Sequence, residues 1–124
     1  MNYRDIIYET DGRLAYITLN RPEKLNALSN NLRGEVMDAM REAEHDDEIG
    51  VIVLRGAGRS FSAGYDLTPA RAAGEVDLVN PRSLLPETGT THPGQQQWAR
   101  HVVMTNMTIW ELAKPVVAQV HGHC

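Results

Sequence analysis

The sequence predicts an α/β fold, and three observations carry the prediction. Two β-rich runs flank an Asp-Gly pair near the start, a helix-spaced apolar stripe follows, and two continuous apolar runs, "VIVLRG" and "VVAQV", come later with a second helical stripe between them. The order β-β-α-β-α-β is that of a mixed or parallel sheet with crossover helices.

Each element has its own warrant. Residues 5 to 20, "DIIYETDGRLAYITLN", read as a hairpin because Asp11-Gly12 is a favoured tight-turn pair. In its second run Leu14, Tyr16 and Thr18 face one way, and Ala15, Ile17 and Leu19 the other. "NRPEKLNAL" (20 to 28) reads as a loop, with Pro22 lacking a donor N–H. Ser29 is an expected N-cap for a helix to about Asp46, in which Leu32, Val36, Ala39, Met40 and Ala43 recur at helical spacing. "VIVLRG" (51 to 56) has the pattern of a strand buried on both faces. Residues 68 to 97 are rich in Pro, Gly, Thr and Gln, which predicts a short helix and then, over 75 to 97, a flexible loop. Trp98, Val102, Thr105, Ile109 and Leu112 mark a second amphipathic helix, ended by Lys114-Pro115, and "VVAQV" is expected as the next buried strand.

Composition bounds the function classes. The chain has 124 residues, 12 Lys+Arg against 16 Asp+Glu, a net charge of −4 and no basic stripe, so nucleic acid is not an expected partner. Arg4, Asp5, Glu9, Asp11 and Arg13 interrupt the first twenty residues, so no signal core is expected there, and no run is long enough to span a bilayer. The single cysteine, Cys124, allows no internal disulfide, and the expected compartment is a reducing cytoplasm. The chain stops directly after "KPVVAQVHGHC", from which we expect the 124 residues to be the front part of a single longer domain.

The chemistry is expected in "VIVLRGAGRSFSAGYDL", residues 51 to 67. A dinucleotide fingerprint from Gly56 meets Phe61 at its third glycine position. A Walker loop is absent, and a nucleophile elbow from Gly58 and Ser60 closes on Ser62 instead of glycine. "HGHC" groups His121, His123 and Cys124, but His45, His92 and His101 supply no recognisable pairing for a metal, so none is expected. The acidic group Glu42, Glu44, Asp46, Asp47 and Glu48 reads as a solvated helix end. What remains is "FSAGYD": Phe61 is expected to anchor the loop in the core, Gly64 to permit a special turn, and Asp66 to accept N–H groups at a helix start. The Tyr65 N–H then lies where a strand end meets a helix N-terminus, a place from which a donor can face a carbonyl gaining negative charge. The residues by themselves favour a plain βα turn over this reading.

"ITLNRPEKLNAL", "VIVLRGAGRSFSAGYDL" and "KPVVAQVHGHC", in this order and spacing, resemble the enoyl-CoA hydratase/isomerase (crotonase) superfamily across essentially the whole chain. The resemblance implies a spiral of ββα units that assembles as a homotrimer or a dimer of trimers and binds acyl-CoA thioesters. It implies a thioester enolate held by two main-chain N–H groups, the first being that of Tyr65, which follows Gly64. Lys24, Leu25, Ala27, Ser62, Ala63, Asp66 and Leu67 match positions around CoA, with Lys24 placed to meet a phosphate. No cofactor is implied beyond the CoA of the substrate. The second donor belongs in such proteins to a Gly-Gly turn beyond the "HGHC" block, and the acid–base glutamates lie farther on, so the 124 residues alone are expected to lack useful turnover. The implied reaction is hydration of a 2-enoyl-CoA. Isomerase, hydrolase and decarboxylase activities stand as alternatives, as does a non-catalytic CoA-binding or assembly module. His121 and His123 stand where relatives commonly carry Asn and Tyr, a side-chain change that leaves the backbone geometry intact. Residues 75 to 97 match no family block closely, so the acyl preference is not readable.

Overall fold

A computed structural model describes residues 2–66 and 103–124. β1 (Ile6–Asp11) and β2 (Leu14–Leu19) form the antiparallel hairpin expected from Asp11-Gly12, with Asp11 opposite Leu14 and Gly12 at a φ of 57°. β3 (Val51–Gly56) adds parallel to β2, Leu14 opposite Val51 and Leu19 opposite Gly56. β4 (Val116–Gln119) adds parallel to β3, giving the sheet order β1-β2-β3-β4.

Helix α1 (Asn30–His45) connects β2 to β3 and covers one face of the sheet. It starts where Ser29 takes an extended conformation and its side chain accepts a hydrogen bond from Leu32 N at 3.2 Å. That bond satisfies one of the first-turn donors that no helical carbonyl can reach. Ser29→Ala is therefore expected to lower stability by about 1 kcal/mol, read as a fall in the urea midpoint at unchanged slope. The apolar stripe faces inward as its spacing demands: Leu32, Val36, Met37, Ala39, Met40 and Ala43 pack on Ile6, Ala15, Ile17, Leu19 and Ile52.

Residues 103–111 are helical, in the region where the second amphipathic helix is expected, and Ile109 and Leu112 join the same core. The end of that helix is tied to the end of α1. The Glu44 carboxylate accepts from Ala113 N at 2.8 Å and Lys114 N at 3.3 Å, while Lys114 Nζ donates to the carbonyls of Ala43 and Asp46. Glu44 thus belongs to the join between the helices, whereas the sequence reads it as part of a solvated acidic surface.

Two strand expectations are corrected. β3 is not buried on both faces: Ile52 is fully buried, but the other residues of the strand are only partly covered. The outer face is polar, because Arg55 stacks over the Tyr16 ring at 4.4 Å and its Nε donates to Thr18 Oγ1 at 2.9 Å. β4 is not a buried strand either. Val116 touches the core, but Val117 and the following Val120 are each 51% exposed. Among the described residues β4 has one hydrogen-bonded neighbour, and the described helices pack on the opposite face from Val117. The residues 75 to 97, and the short helix expected before them, lie outside the described residues.

Because β2, β3 and β4 run parallel, the segments that follow them leave the sheet at the same end. Residues 20–29, 57–66 and 120–124 therefore meet beyond the carboxyl ends of the strands, where ligands bind in sheets of this kind.

Candidate active site

The first wall is the loop after β2. Pro22–Lys24 make one 3-10 turn, a position where proline's missing donor is harmless, and Leu25 and Asn26 then take left-handed conformations at φ 51° and 54°. Asparagine visits this region readily and leucine does not, so the turn must be held from outside. Asn26 holds it. Fully buried, it accepts at Oδ1 from Arg21 N at 2.8 Å and donates from Nδ2 to Ala57 O and Ser60 O, both at 2.9 Å.

The second wall is the glycine loop, zipped in parallel onto the first. Ala63 N donates to Leu25 O at 2.9 Å, Leu28 N to Gly64 O at 2.8 Å, and Asp66 N to Leu28 O at 3.1 Å. Ser62 Oγ bridges them, donating to Asn26 O at 2.9 Å and accepting from Gly64 N at 3.1 Å. Arg21 Nη1 closes the far end on Ala27 O at 2.7 Å and on Asp66 Oδ2 at 3.1 Å, an ion pair with both side chains largely buried.

This zipper fixes one direction. The Gly64 carbonyl and the Tyr65 N–H belong to the same planar trans peptide unit and so point opposite ways. With the carbonyl clamped on Leu28 N, the Tyr65 N–H is turned away from the first wall. Gly64 reaches this geometry at φ 89°, a value costly for a residue with a side chain.

The block after β4 supports the glycine loop from behind. Phe61 N donates to His121 O at 2.8 Å and Ser62 N to His123 O at 3.1 Å, while His121 Nε2 meets Gly58 O at 2.8 Å. Gly122, at φ 61°, leaves room for the Arg59 carbonyl, which a Cβ there would strike. Phe61 is only half-buried and is absent from the core cluster, so main-chain bonds anchor the loop, not the Phe61 side chain as the sequence suggests.

The structure thus brings the predicted residues together, in different roles. Gly64 and Tyr65 lie on the zipped segment; Leu25 and Ala27 line the facing loop, partly buried; Lys24 and Ala63 are exposed at its rim. The Ser62 hydroxyl is committed to main chain, and one Asp66 oxygen is committed to Arg21. Leu67, and the helix start expected after Asp66, lie outside the described residues. Three residues that sequence reasoning passes over also matter. Asn26 and Arg21 frame the loops, and the buried Arg33 of α1 stacks over the Tyr65 ring at 5.3 Å. The one available signal was an asparagine in a Pro-led loop, after glycine the residue type most tolerant of φ above zero.

A mixed sheet with strapped loops at the carboxyl ends of its parallel strands defines an α/β layer, and comparison with known proteins gives it a family. The family model described as enoyl-CoA hydratase/isomerase matches residues 9–124. A Mycobacterium tuberculosis protein named as an enoyl-CoA hydratase, EchA13, is 39% identical over 132 aligned residues, covering 94% of this chain and 39% of that protein. The hydroxycinnamoyl-CoA hydratase-lyase of Pseudomonas fluorescens is 35% identical, covering 98% of this chain and 40% of its own length. Among solved structures, an enoyl-CoA hydratase from Mycobacterium smegmatis superposes with a TM-score of 0.77 at 31% identity, over 99% of this chain and 42% of that one. An enoyl-CoA hydratase/isomerase from Xanthobacter autotrophicus gives 0.75 at 35% identity, over 98% and 40%. The chain spans about two fifths of the length of these relatives. It belongs to the enoyl-CoA hydratase/isomerase, or crotonase, family, and its ββα unit is part of the crotonase fold.

Proposed function

We propose that this chain supplies one donor of the oxyanion hole of an acyl-CoA enzyme that adds water across a 2-enoyl-CoA. The observation that carries the reading is the direction of the Tyr65 N–H, set by the Gly64 carbonyl on Leu28 N. As water oxygen bonds to the β-carbon, the electron pair of the double bond moves toward the thioester oxygen, and a proton then reaches the α-carbon. The Tyr65 N–H, together with a second donor, holds that oxygen at its most negative. Such a preorganised donor acts more strongly on the transition state than on the substrate.

The rim residues fit the remainder of the ligand. Lys24 is exposed beside the loop and can meet a CoA phosphate, while Leu25, Ala27 and Ala63 offer small or apolar surface to adenine and pantetheine. Hydration is favoured over isomerase, hydrolase or decarboxylase chemistry because the names of both relatives above contain hydratase. A trimer or dimer of trimers in the cytoplasm is the assembly and place this reading implies. Among the described residues no helix is long and apolar enough to cross a membrane.

Acetoacetyl-CoA, whose enolate resembles the proposed intermediate, tests the site directly. Mixing it with the whole enzyme that this reading supposes is expected to raise its enolate absorption band, and that enzyme is expected to hydrate crotonyl-CoA with loss of its enoyl absorbance. An acetoacetyl-CoA spectrum unaltered at saturating protein would remove the oxyanion assignment.

A further inference from the structure

Two buried cations flank the segment 64–66, and they differ in one respect. Arg21 is neutralised by Asp66. Arg33, one turn past the Ser29 cap and only 8% exposed, takes part in none of the ion pairs among the described residues. Its Nη1 reaches Asn30 Oδ1 at 3.4 Å, its Nη2 is buried with no hydrogen-bond partner, and its guanidinium carbon lies 5.3 Å from the Tyr65 ring centroid.

A guanidinium does not shed its proton, so among the described residues this is a buried charge without a counter-ion. Stacking on the negative face of an aromatic ring offsets only part of the cost of burying it. Among the described residues, a positive charge without a counter-ion therefore lies against the side chain whose own main chain carries the proposed donor.

We propose that Arg33 is a positioning residue for the enolate: its cation holds the Tyr65 ring, and its field lowers the energy of negative charge on the thioester oxygen. The inference rests on the oxyanion reading above. The field has little to act on while the thioester is neutral and acts fully once the oxygen is charged, so its effect falls on kcat and not on KM. At a separation of about 12 Å and an effective dielectric of about 20, one unit charge changes the rate by roughly tenfold.

The test compares Arg33→Met, which keeps length and loses charge, with Arg33→Lys, which keeps charge. Replacing a buried unpaired charge by a methionine of similar volume leaves stability equal or higher, so the variant is expected to fold. In the whole acyl-CoA enzyme, the expected result for Arg33→Met is a roughly tenfold fall in kcat with KM within about twofold. The pH at which bound acetoacetyl-CoA enolises is expected to rise by about one unit. Arg33→Lys is expected to restore most of both. Three results would overturn the proposal: an Arg33→Met protein equal to its parent, equal losses in both variants, or a rise in KM alone. A parent protein that produces no enolate band overturns the oxyanion reading and this inference together. A normal band in parent and Arg33→Met alike overturns this inference only.

Discussion

Replacing Gly64 by valine in the whole acyl-CoA enzyme that the proposed function supposes is expected to lower enoyl-CoA turnover about 100- to 1,000-fold, the loss typical of one oxyanion donor, while the protein stays folded. A Cβ at position 64 meets no atom of the described residues within 4 Å, so the added β-carbon itself causes no collision. What it changes is the backbone preference. Gly64 sits at φ 89°, and a β-branched residue held there costs on the order of 1–3 kcal/mol. The chain can relieve that strain by turning about residue 64, and doing so rotates the peptide unit that joins it to Tyr65. The carbonyl then leaves Leu28 N, and the N–H on the other edge of the same plane swings off its line. Steady-state kinetics should show the loss mainly in kcat, with a circular-dichroism spectrum close to that of the parent. Near-parental hydration by the variant would mean that the Tyr65 N–H is not the donor.

The features legible from sequence are those whose cause is local. Asp11-Gly12 sets the hairpin, Ser29 caps α1, and the spacing of Leu32, Val36, Ala39, Met40 and Ala43 selects the face that is buried. The position of the glycine loop was legible for the same reason, since a strand run ended by glycine announces its own end. The burial of β3 was less so. Val51, Val53 and Arg55 look like one continuous run with their neighbours, yet the Arg55–Tyr16 stack gives their face a polar character that depends on strand register. The frame of the site was not legible at all. Asn26 bonds to carbonyls 31 and 34 residues away, and the Arg21–Asp66 pair spans 45. Contacts at such separations leave no periodic trace, and only the fold reveals that the direction of one N–H depends on a carbonyl clamped by Leu28.

Asn26→Ala is expected to cost about 3–5 kcal/mol, the largest stability effect of any single change in these loops. The side chain is fully buried and makes three hydrogen bonds, so its removal leaves Arg21 N and the carbonyls of Ala57 and Ser60 without that partner. Each buried group left unsatisfied costs about 1–3 kcal/mol, and water entering the space recovers part of it. Alanine also tolerates φ 54° less well than asparagine, and Leu25 beside it is already left-handed. Urea unfolding should therefore show a large fall in midpoint at unchanged slope, and a cost below about 1 kcal/mol would remove Asn26 as the frame. Asn26→Asp separates bonding from volume. It can still accept from Arg21 N, but its carboxylate would face two carbonyl oxygens at positions where Nδ2 now stands 2.9 Å away. A loss at least as large as that of alanine is expected if hydrogen bonding is the cause, and a near-parental midpoint if only volume matters. The same lesion should weaken acetoacetyl-CoA binding, because Leu25 O and Leu28 N, which clamp Ala63 and Gly64, belong to the loop that Asn26 holds in place.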